Sequence, residues 1–312
     1  MDVLITCPPM VSLLPELEER MIARGLKPTA PPVVQVLSER ELVELVPQYD
    51  GWILGDDPAT FRVFEAGRQG RLRGVVKWGV GVDNVDFQAA ATFGIPVGHT
   101  PGMFGDEVAD IAMAYVTGLA RQTYRIDRGV RGGDWPKPRG ISLAGKIAGL
   151  VGFGNVGRSI ARRLIAAKMR VIAYDPQAEG TPGLDEVLRR NWPEDVETAD
   201  FLVLACALTP ENVHMIDRGV LSKMKPGVRI VNVARGRLID EDALVEALAS
   251  GLVHSAAFDV FETEPLPMRS RLREFERCVF GSHNGSNTIE AVQQASDRAI
   301  ELLDTFLGRN HP

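Results

Sequence analysis

Ile147-Ala-Gly-Leu-Val151-Gly152-Phe-Gly154-Asn-Val-Gly157, followed after a helix-length interval by Arg170-Val-Ile-Ala-Tyr174-Asp175, is the stretch that decides the fold of this 312-residue chain. A short apolar run reads as a buried strand, and the glycines after it are spaced G-x-G-x-x-G. Val156, Ile160 and Leu164 then recur at i, i+4 and i+8, on one face of a helix. In such a strand–turn–helix, Gly152 permits the tight turn, Gly154 lets backbone approach a pyrophosphate, and Gly157 lets helix and strand pack closely. The start of the helix presents unpaired N–H groups and a partial positive charge to the phosphates. With 31 glycines in the chain, that spacing alone is weak. Its context is stronger, because the next strand ends in Asp175, 18 residues beyond Gly157. A carboxylate there hydrogen-bonds a ribose 2′-hydroxyl and repels a 2′-phosphate. Pro176 and Gln177 supply no arginine to offset that repulsion, so the expected cofactor is NAD rather than NADP.

Outward from this unit, strand-like and helical patterns alternate along the whole chain. Before it, Val3–Thr6, Val33–Leu37, Gly51–Leu54, Gly74–Val80 and Ile95–Val97 read as strands. Helices are expected around 12–24, 39–46, 59–66 and 86–93. From Ile147 onward the strands are Ile147–Val151, Val171–Tyr174, Phe201–Ala205, Arg229–Val233, His254–Asp259 and Val279–Gly281. Helices fall around 155–167, 184–190, 216–223 and 240–250. Alternation of this kind implies an α/β fold with mostly parallel sheets covered on both faces. A helical stripe (Val108, Ile111, Ala112, Tyr115, Leu119) separates the two series, and a polar arm, Arg121–Arg139, follows it. A loose arm of that length is expected to be covered by a second subunit, the alternative being a mobile surface loop. Its arginines (Arg121, Arg125, Arg128, Arg131) read as a solvated face. The last helix, about 288–307, has no strand after it and is expected to return to the first domain.

Size and composition narrow the function. The length suits about two domains at roughly 150 residues each. A net charge of −6 argues against nucleic acid as a main partner. No apolar stretch reaches the roughly 20 residues of a membrane span, and the start lacks a signal-peptide pattern. Cys7, Cys206 and Cys278 are far apart, suggesting neither disulfides nor a metal site and a reducing, cytoplasmic setting.

Three segments place reactive side chains at the ends of expected strands: Asn232-Val-Ala-Arg235-Gly236, Asp259-Val-Phe-Glu-Thr-Glu264-Pro265 and Ser282-His283-Asn-Gly285. Ligands of open parallel sheets bind outside the carboxyl ends of the strands, so these residues can converge on a nicotinamide. Oxidising a secondary alcohol needs a base near neutrality, which suits a histidine steadied by a carboxylate. An arginine can hold a substrate carboxylate in a bidentate pair. Glu264 is the expected histidine partner, with Glu262 as competitor; His99, His214 and His254 lack such partners and read as structural.

These segments, taken with GFGNVG and Asp175, resemble the D-isomer-specific 2-hydroxyacid dehydrogenase family, which includes phosphoglycerate, glycerate and D-lactate dehydrogenases. Gly79-Val-Gly81-Val-Asp83-Asn84, Thr100-Pro-Gly102, Leu143-Ala-Gly145-Lys146 and Leu208-Thr209-Pro210-Glu211 extend the match over most of the chain. The resemblance implies two Rossmann-like domains: a flavodoxin-like substrate domain (1–99 plus 287–312) and an inserted NAD-binding domain (100–286) with a doubly wound parallel sheet. It implies a homodimer through an arm at about 106–140 and an active site in the cleft between domains. Arg235 would bind the substrate carboxylate, His283 would be the acid/base and Glu264 its partner. Gly152, Gly154, Asn155, Val156, Gly157 and Asp175 would hold the pyrophosphate and ribose. Cys206 and Thr209 would line the adenosine side, and Val233, Ala234 and Asp259 the nicotinamide end. Gly79, Val80 and Gly81 would offer amides to the substrate carboxylate, with Lys77 and Trp78 just before them.

Departures bear on the substrate. The family's polar LHxPLT reads Leu204-Ala-Cys206-Ala-Leu-Thr209 here, and the threonine after TPE is Asn212. Lys77 occupies a position where phosphoglycerate dehydrogenases often carry a cation, yet a second basic residue is replaced by Gly55-Asp56-Asp57. The expected reaction is reversible oxidation of a D-2-hydroxyacid of phosphoglycerate or glycerate type, phosphorylated or not. A non-catalytic NAD(H)-sensing regulator on the same fold is the alternative.

Overall fold

Strands buried on both faces of a parallel sheet need near-continuous apolar runs, and Phe201-Leu-Val-Leu204, with no exposed surface, is one. The structure, a computed structural model, describes residues 1–177 and 181–308. Contacts divide the chain into two units, Met1–Met103 with Asn287–Pro312, and Phe104–Ser286.

The first unit runs β1 (Asp2–Ile5), α1 (Pro8–Ser12), α2 (Leu14–Ala23), β2 (Lys27–Thr29), α3 (Glu39–Leu45), β3 (Gly51–Leu54), α4 (Phe61–Gln69), β4 (Gly74–Lys77), α5 (Phe87–Thr92) and β5 (Val97–His99). Its strands are parallel in the order β2-β1-β3-β4-β5, which is the flavodoxin-like order. Helix α3 begins at a capping box in which Ser38 and Glu41 satisfy each other's amides.

The second unit begins with α6 (Gly105–Arg121) and α7 (Thr123–Arg131). Then come β6 (Ile147–Val151), α8 (Asn155–Ala166), β7 (Arg170–Tyr174), β8 (Leu188–Arg190), β9 (Phe201–Leu204), α9 (Arg218–Lys223), β10 (Val228–Asn232), α10 (Glu241–Ser250), β11 (Val253–Phe258) and β12 (Val279–Phe280). The order β12-β11-β10-β9-β6-β7-β8, all parallel, reverses direction at β6/β9. That is the doubly wound arrangement, and its reversal point is where such sheets bind ligands. Two apolar layers fill the faces of the sheet, one around Ile230, Leu244 and Phe258 and the other around Leu150, Ile160 and Val116.

The closing helix α11 (Ile289–Phe306) belongs to the first unit. Leu303 and Phe306 lie so close to β3 and β4 that a Cβ on Gly51 or Gly74 would come within 2.9 Å of them. The strands need glycine there to admit the helix. Leu303 is fully buried, so its truncation to alanine costs about 2–5 kcal/mol.

Three expectations need correcting. Val33–Leu37 is irregular, and the strand beside β1 is Lys27–Thr29 instead. The segment 184–190 is not helical; it ends in edge strand β8. The arm after α6 is not loose throughout, because its first half is α7, a helix with no buried residue. Beyond it Trp135 is 77% exposed. Among the described residues no helix is long and apolar enough to cross a membrane.

Candidate active site

The glycine loop lies at the carboxyl end of β6, and its three glycines meet different demands. Gly152 has φ +95°, and a Cβ there would come 2.6 Å from the Cys206 amide nitrogen. A Cβ on Gly157 would come 2.1 Å from the Gly152 oxygen, whereas one on Gly154 would meet nothing within 4 Å. The loop is thus closed on its protein side and open at Gly154. Gly154 is also the N-cap of α8 and no side chain caps it, in contrast to α10, where Asp240 accepts the Ala243 N–H. Open backbone and uncapped amides fit a dinucleotide pyrophosphate. Asn155 and Val156 form the first turn of α8. Asp175, just past β7, accepts the Phe153 N–H at 2.7 Å and the Gln177 N–H at 2.9 Å. Its carboxylate is therefore fixed beside the loop.

On the other side of the reversal point, β9 leads into Cys206 and Thr209. Burial pushes the Cys206 thiol up to about 11, which keeps it neutral and unreactive. The Thr209 N–H is accepted by Asn212 Oδ1 at 2.8 Å, and Asn212 Nδ2 donates to the Ala207 oxygen at 2.8 Å. Asparagine therefore does stand in for the threonine usual at that position.

The neighbouring strands β10, β11 and β12 bring the reactive segments to the same sheet edge. Asn232, 1% exposed at the end of β10, accepts the Ala234 N–H and donates to the Arg235 oxygen at 2.8 Å. Its side chain templates the turn through Val233, Ala234 and Arg235. Arg235 Nη1 donates to the Ala234 oxygen at 2.9 Å. Asp259, 4% exposed past β11, receives amides of the histidine loop from Asn284 and Gly285. Glu264 Oε1 accepts the Phe261 N–H at 2.9 Å, and Oε2 lies 2.7 Å from His283 Nδ1. A carboxylate that accepts from Nδ1 places the ring hydrogen there and leaves Nε2 as the other ring nitrogen.

Glu264 is the carboxylate hydrogen-bonded to His283, and Glu262 pairs with a different histidine. Glu262 lies 3.0 Å from His214 Nε2, which corrects the expectation that His214 has no carboxylate partner.

In the first unit, Gly79 follows β4 with φ +138°, a backbone that favours glycine. Its N–H donates to Thr100 Oγ1 at 2.9 Å, while the amides of Val80 and Gly81 have no acceptor among the described residues. Lys77 is 3% exposed and pairs with Asp56 at 2.9 Å. Trp78 is buried, its Nε1 donating to Ser296 Oγ at 3.1 Å, so it packs beneath the loop. Asp57, fully buried, accepts from Leu37, Thr6 and Gly55. Burial pushes its carboxyl upward against those bonds.

Sequence reasoning gave Asn232, Thr100 and Tyr115 no individual role in these sites. A Cβ on Gly281 would come 2.4 Å from both the Tyr115 hydroxyl and Asp259 Oδ1, so Tyr115 walls the histidine loop. Burial and the Asp259 charge raise its pKa. Asn232 had a legible signal, a polar residue closing an apolar strand.

The family model described as D-isomer specific 2-hydroxyacid dehydrogenase, NAD binding domain, matches residues 113–285. The chain belongs to the D-isomer-specific 2-hydroxyacid dehydrogenase family. It is 37% identical over 281 residues to a hydroxypyruvate reductase of Thermotoga maritima, covering 87% of this chain and 89% of that one. It is 39% identical over 279 residues to a chloroplastic D-3-phosphoglycerate dehydrogenase of Arabidopsis thaliana, covering 87% of this chain. The match spans only 44% of the plant protein. A crystal structure of a Thermus thermophilus protein superposes with a TM-score of 0.87 at 32% identity, covering 100% of this chain and 99% of that one. As a family member, the chain is an NAD-dependent oxidoreductase of two Rossmann-like sheets, and the glycine loop with Asp175 is the feature that fits the cofactor.

Proposed function

We propose that this dehydrogenase catalyses the reversible reduction of a short, unphosphorylated 2-oxoacid, of the hydroxypyruvate or glyoxylate type, to its D-2-hydroxyacid. The observation that carries the reading is the His283–Glu264 pair, 2.7 Å apart at the end of β12. NADH, when bound, supplies a hydride to the carbonyl carbon. His283 gives the carbonyl oxygen its proton from Nε2, and in the reverse direction takes the hydroxyl proton back. Glu264 fixes the tautomer and stabilises the imidazolium. Arg235 binds the substrate carboxylate as a bidentate partner; in the first unit, the amides of Val80 and Gly81 are assigned to substrate binding.

The unphosphorylated tail is argued from Lys77. Its ammonium is buried against Asp56, with the Asp57 carboxyl beside it in the chain. A phosphate brought to that strand end meets the Asp56 carboxylate, which already holds the Lys77 ammonium, and like charges repel. The resemblance to a hydroxypyruvate reductase over 89% of its length supports the same class.

The same reading assigns residues 1–99 and 287–312 to substrate binding, residues 100–286 to NAD and the arm at 106–140 to a homodimer. Unpaired Cys7, Cys206 and Cys278 support a reducing cytoplasm.

An assay of NADH oxidation over glyoxylate, pyruvate, hydroxypyruvate and phosphohydroxypyruvate tests the proposal. Turnover with hydroxypyruvate or glyoxylate above the phosphorylated acid is expected. Tight NADH binding without turnover of any 2-oxoacid would favour the NAD(H)-sensing regulator instead.

A further inference from the structure

The loop that carries Glu264 is clamped by a second histidine–carboxylate pair. His214 has a left-handed backbone, φ +53°, and its N–H donates to the Arg237 oxygen at 2.8 Å. Its Nε2 lies 3.0 Å from Glu262 Oε1. That oxygen also accepts the Glu241 N–H at 3.1 Å, while Glu241 Oε1 accepts the Glu262 N–H at 2.8 Å. The first residue of α10 and the loop after β11 are thereby tied by reciprocal bonds.

A second clamp sits one peptide away. A Cβ on Gly236 would come 1.8 Å from the Phe261 carbonyl carbon and 2.3 Å from the Glu262 nitrogen. The turn after Arg235 therefore presses directly on the Phe261–Glu262 peptide. Phe261 in turn donates its N–H to Glu264 Oε1, whose other oxygen holds His283. The carboxyls of Glu241, Asp242, Glu262 and Glu264 crowd this region. Burial, with those neighbours, pushes the Glu241 carboxyl upward. The His214 ring faces Glu262 across this cluster.

We propose that Glu262 and His214 are positioning residues for the reaction: by pinning the Phe261–Glu264 segment to α10 and to the Arg235 turn, they fix Glu264 against His283 Nδ1. The proposal rests on the reading of His283 as the acid/base. His214 and Glu262 are both partly exposed, at 43% and 31% of their side chains, and such pairs add little to stability. Their value lies in placement, since a shift of about 1 Å in a catalytic group can cost about 100-fold in rate.

The test uses the full chain, NADH and whichever 2-oxoacid the wild type turns over fastest, with Glu262→Ala, Glu262→Gln and His214→Gln. Glu262→Ala is expected to lower kcat about 10-fold with KM for NADH held within about two-fold. The alkaline limb of its reduction profile should move to lower pH, because a misplaced Glu264 stabilises the imidazolium less. Glu262→Gln, which keeps an oxygen for the Glu241 amide, should recover most of kcat, and His214→Gln should fall between the two. Unchanged kcat and pH midpoint in Glu262→Ala would overturn the proposal. So would a loss of kcat that tracks a lowered thermal midpoint with no move in the pH limb. A wild type inactive on every 2-oxoacid would instead bring down the functional reading, and this inference with it.

Discussion

Asp259 holds His283 by backbone and side chain together. Its main-chain oxygen accepts the His283 N–H at 2.7 Å, and its carboxylate takes the N–H groups of Asn284 at 3.1 Å and Gly285 at 2.8 Å. His283 needs that support because its φ is +55°, a left-handed backbone that costs a non-glycine residue about 1–2 kcal/mol. The strain aims the ring from the end of β12, and the bonds to Asp259 offset it. Asp259→Ala should therefore release the loop and lower kcat by about 10-fold or more. Steady-state kinetics check this, and an unchanged kcat would show that Asp259 does not hold the histidine loop in place.

Asp175 should decide between NAD and NADP. Its carboxylate is fixed by Phe153 and Gln177, and the proposed ribose contact would be accepted there. Asp175→Ala should lower the ratio of kcat/KM for NADH over NADPH by about 10-fold or more, since a hydrogen bond to a charged group contributes about 1.5–3 kcal/mol. An unaltered ratio would refute its ribose role.

Asp56 should set the preference against phosphate. Asp56→Asn removes the charge that holds Lys77 while preserving shape. Activity with phosphohydroxypyruvate should rise relative to hydroxypyruvate, read as a ratio of kcat/KM. A ratio that does not move would place the tail's determinants elsewhere.

Much of this was legible in the sequence because the chemistry is local. The α/β class with mostly parallel sheets follows from apolar runs separated by helical patterns, and the glycine loop, the Arg235 turn and the His283 loop are each contiguous. Edge strands were harder. Leu184, Val187 and Leu188 have helical spacing, but among the described residues Leu188–Arg190 pairs with β7 alone, so its polar residues give no strand signature. Lys27-Pro28-Thr29 hides similarly, because an edge tolerates a proline that a central strand does not. Long-range pairs left no trace at all. Nothing near His214 announces Glu262, and nothing near Lys77 announces that Asp56 occupies its ammonium.

Acid stability should depend on Asp200, at the start of β9. Burial would raise its carboxyl, but Lys225 at 2.8 Å, the Ile147 N–H at 3.0 Å and Lys146 outweigh burial and hold it below the ordinary carboxylate range. A group whose folded pKa is depressed stabilises the protein above its unfolded value and loses that contribution as pH falls through the folded one. Asp200→Asn should cost about 1–3 kcal/mol at neutral pH, and its deficit should shrink below the unfolded value of 3.8. Denaturant titrations at neutral and acid pH measure this, and a deficit independent of pH would contradict it.

In the proposed reaction His283, steadied by Glu264, moves the proton while hydride moves at the neighbouring carbon. The most direct measurement is the turnover of His283→Ala with hydroxypyruvate and NADH, beside NADH affinity from fluorescence titration. Turnover should be abolished while NADH binds as tightly as to the wild type. Turnover that survives the substitution would contradict the assignment.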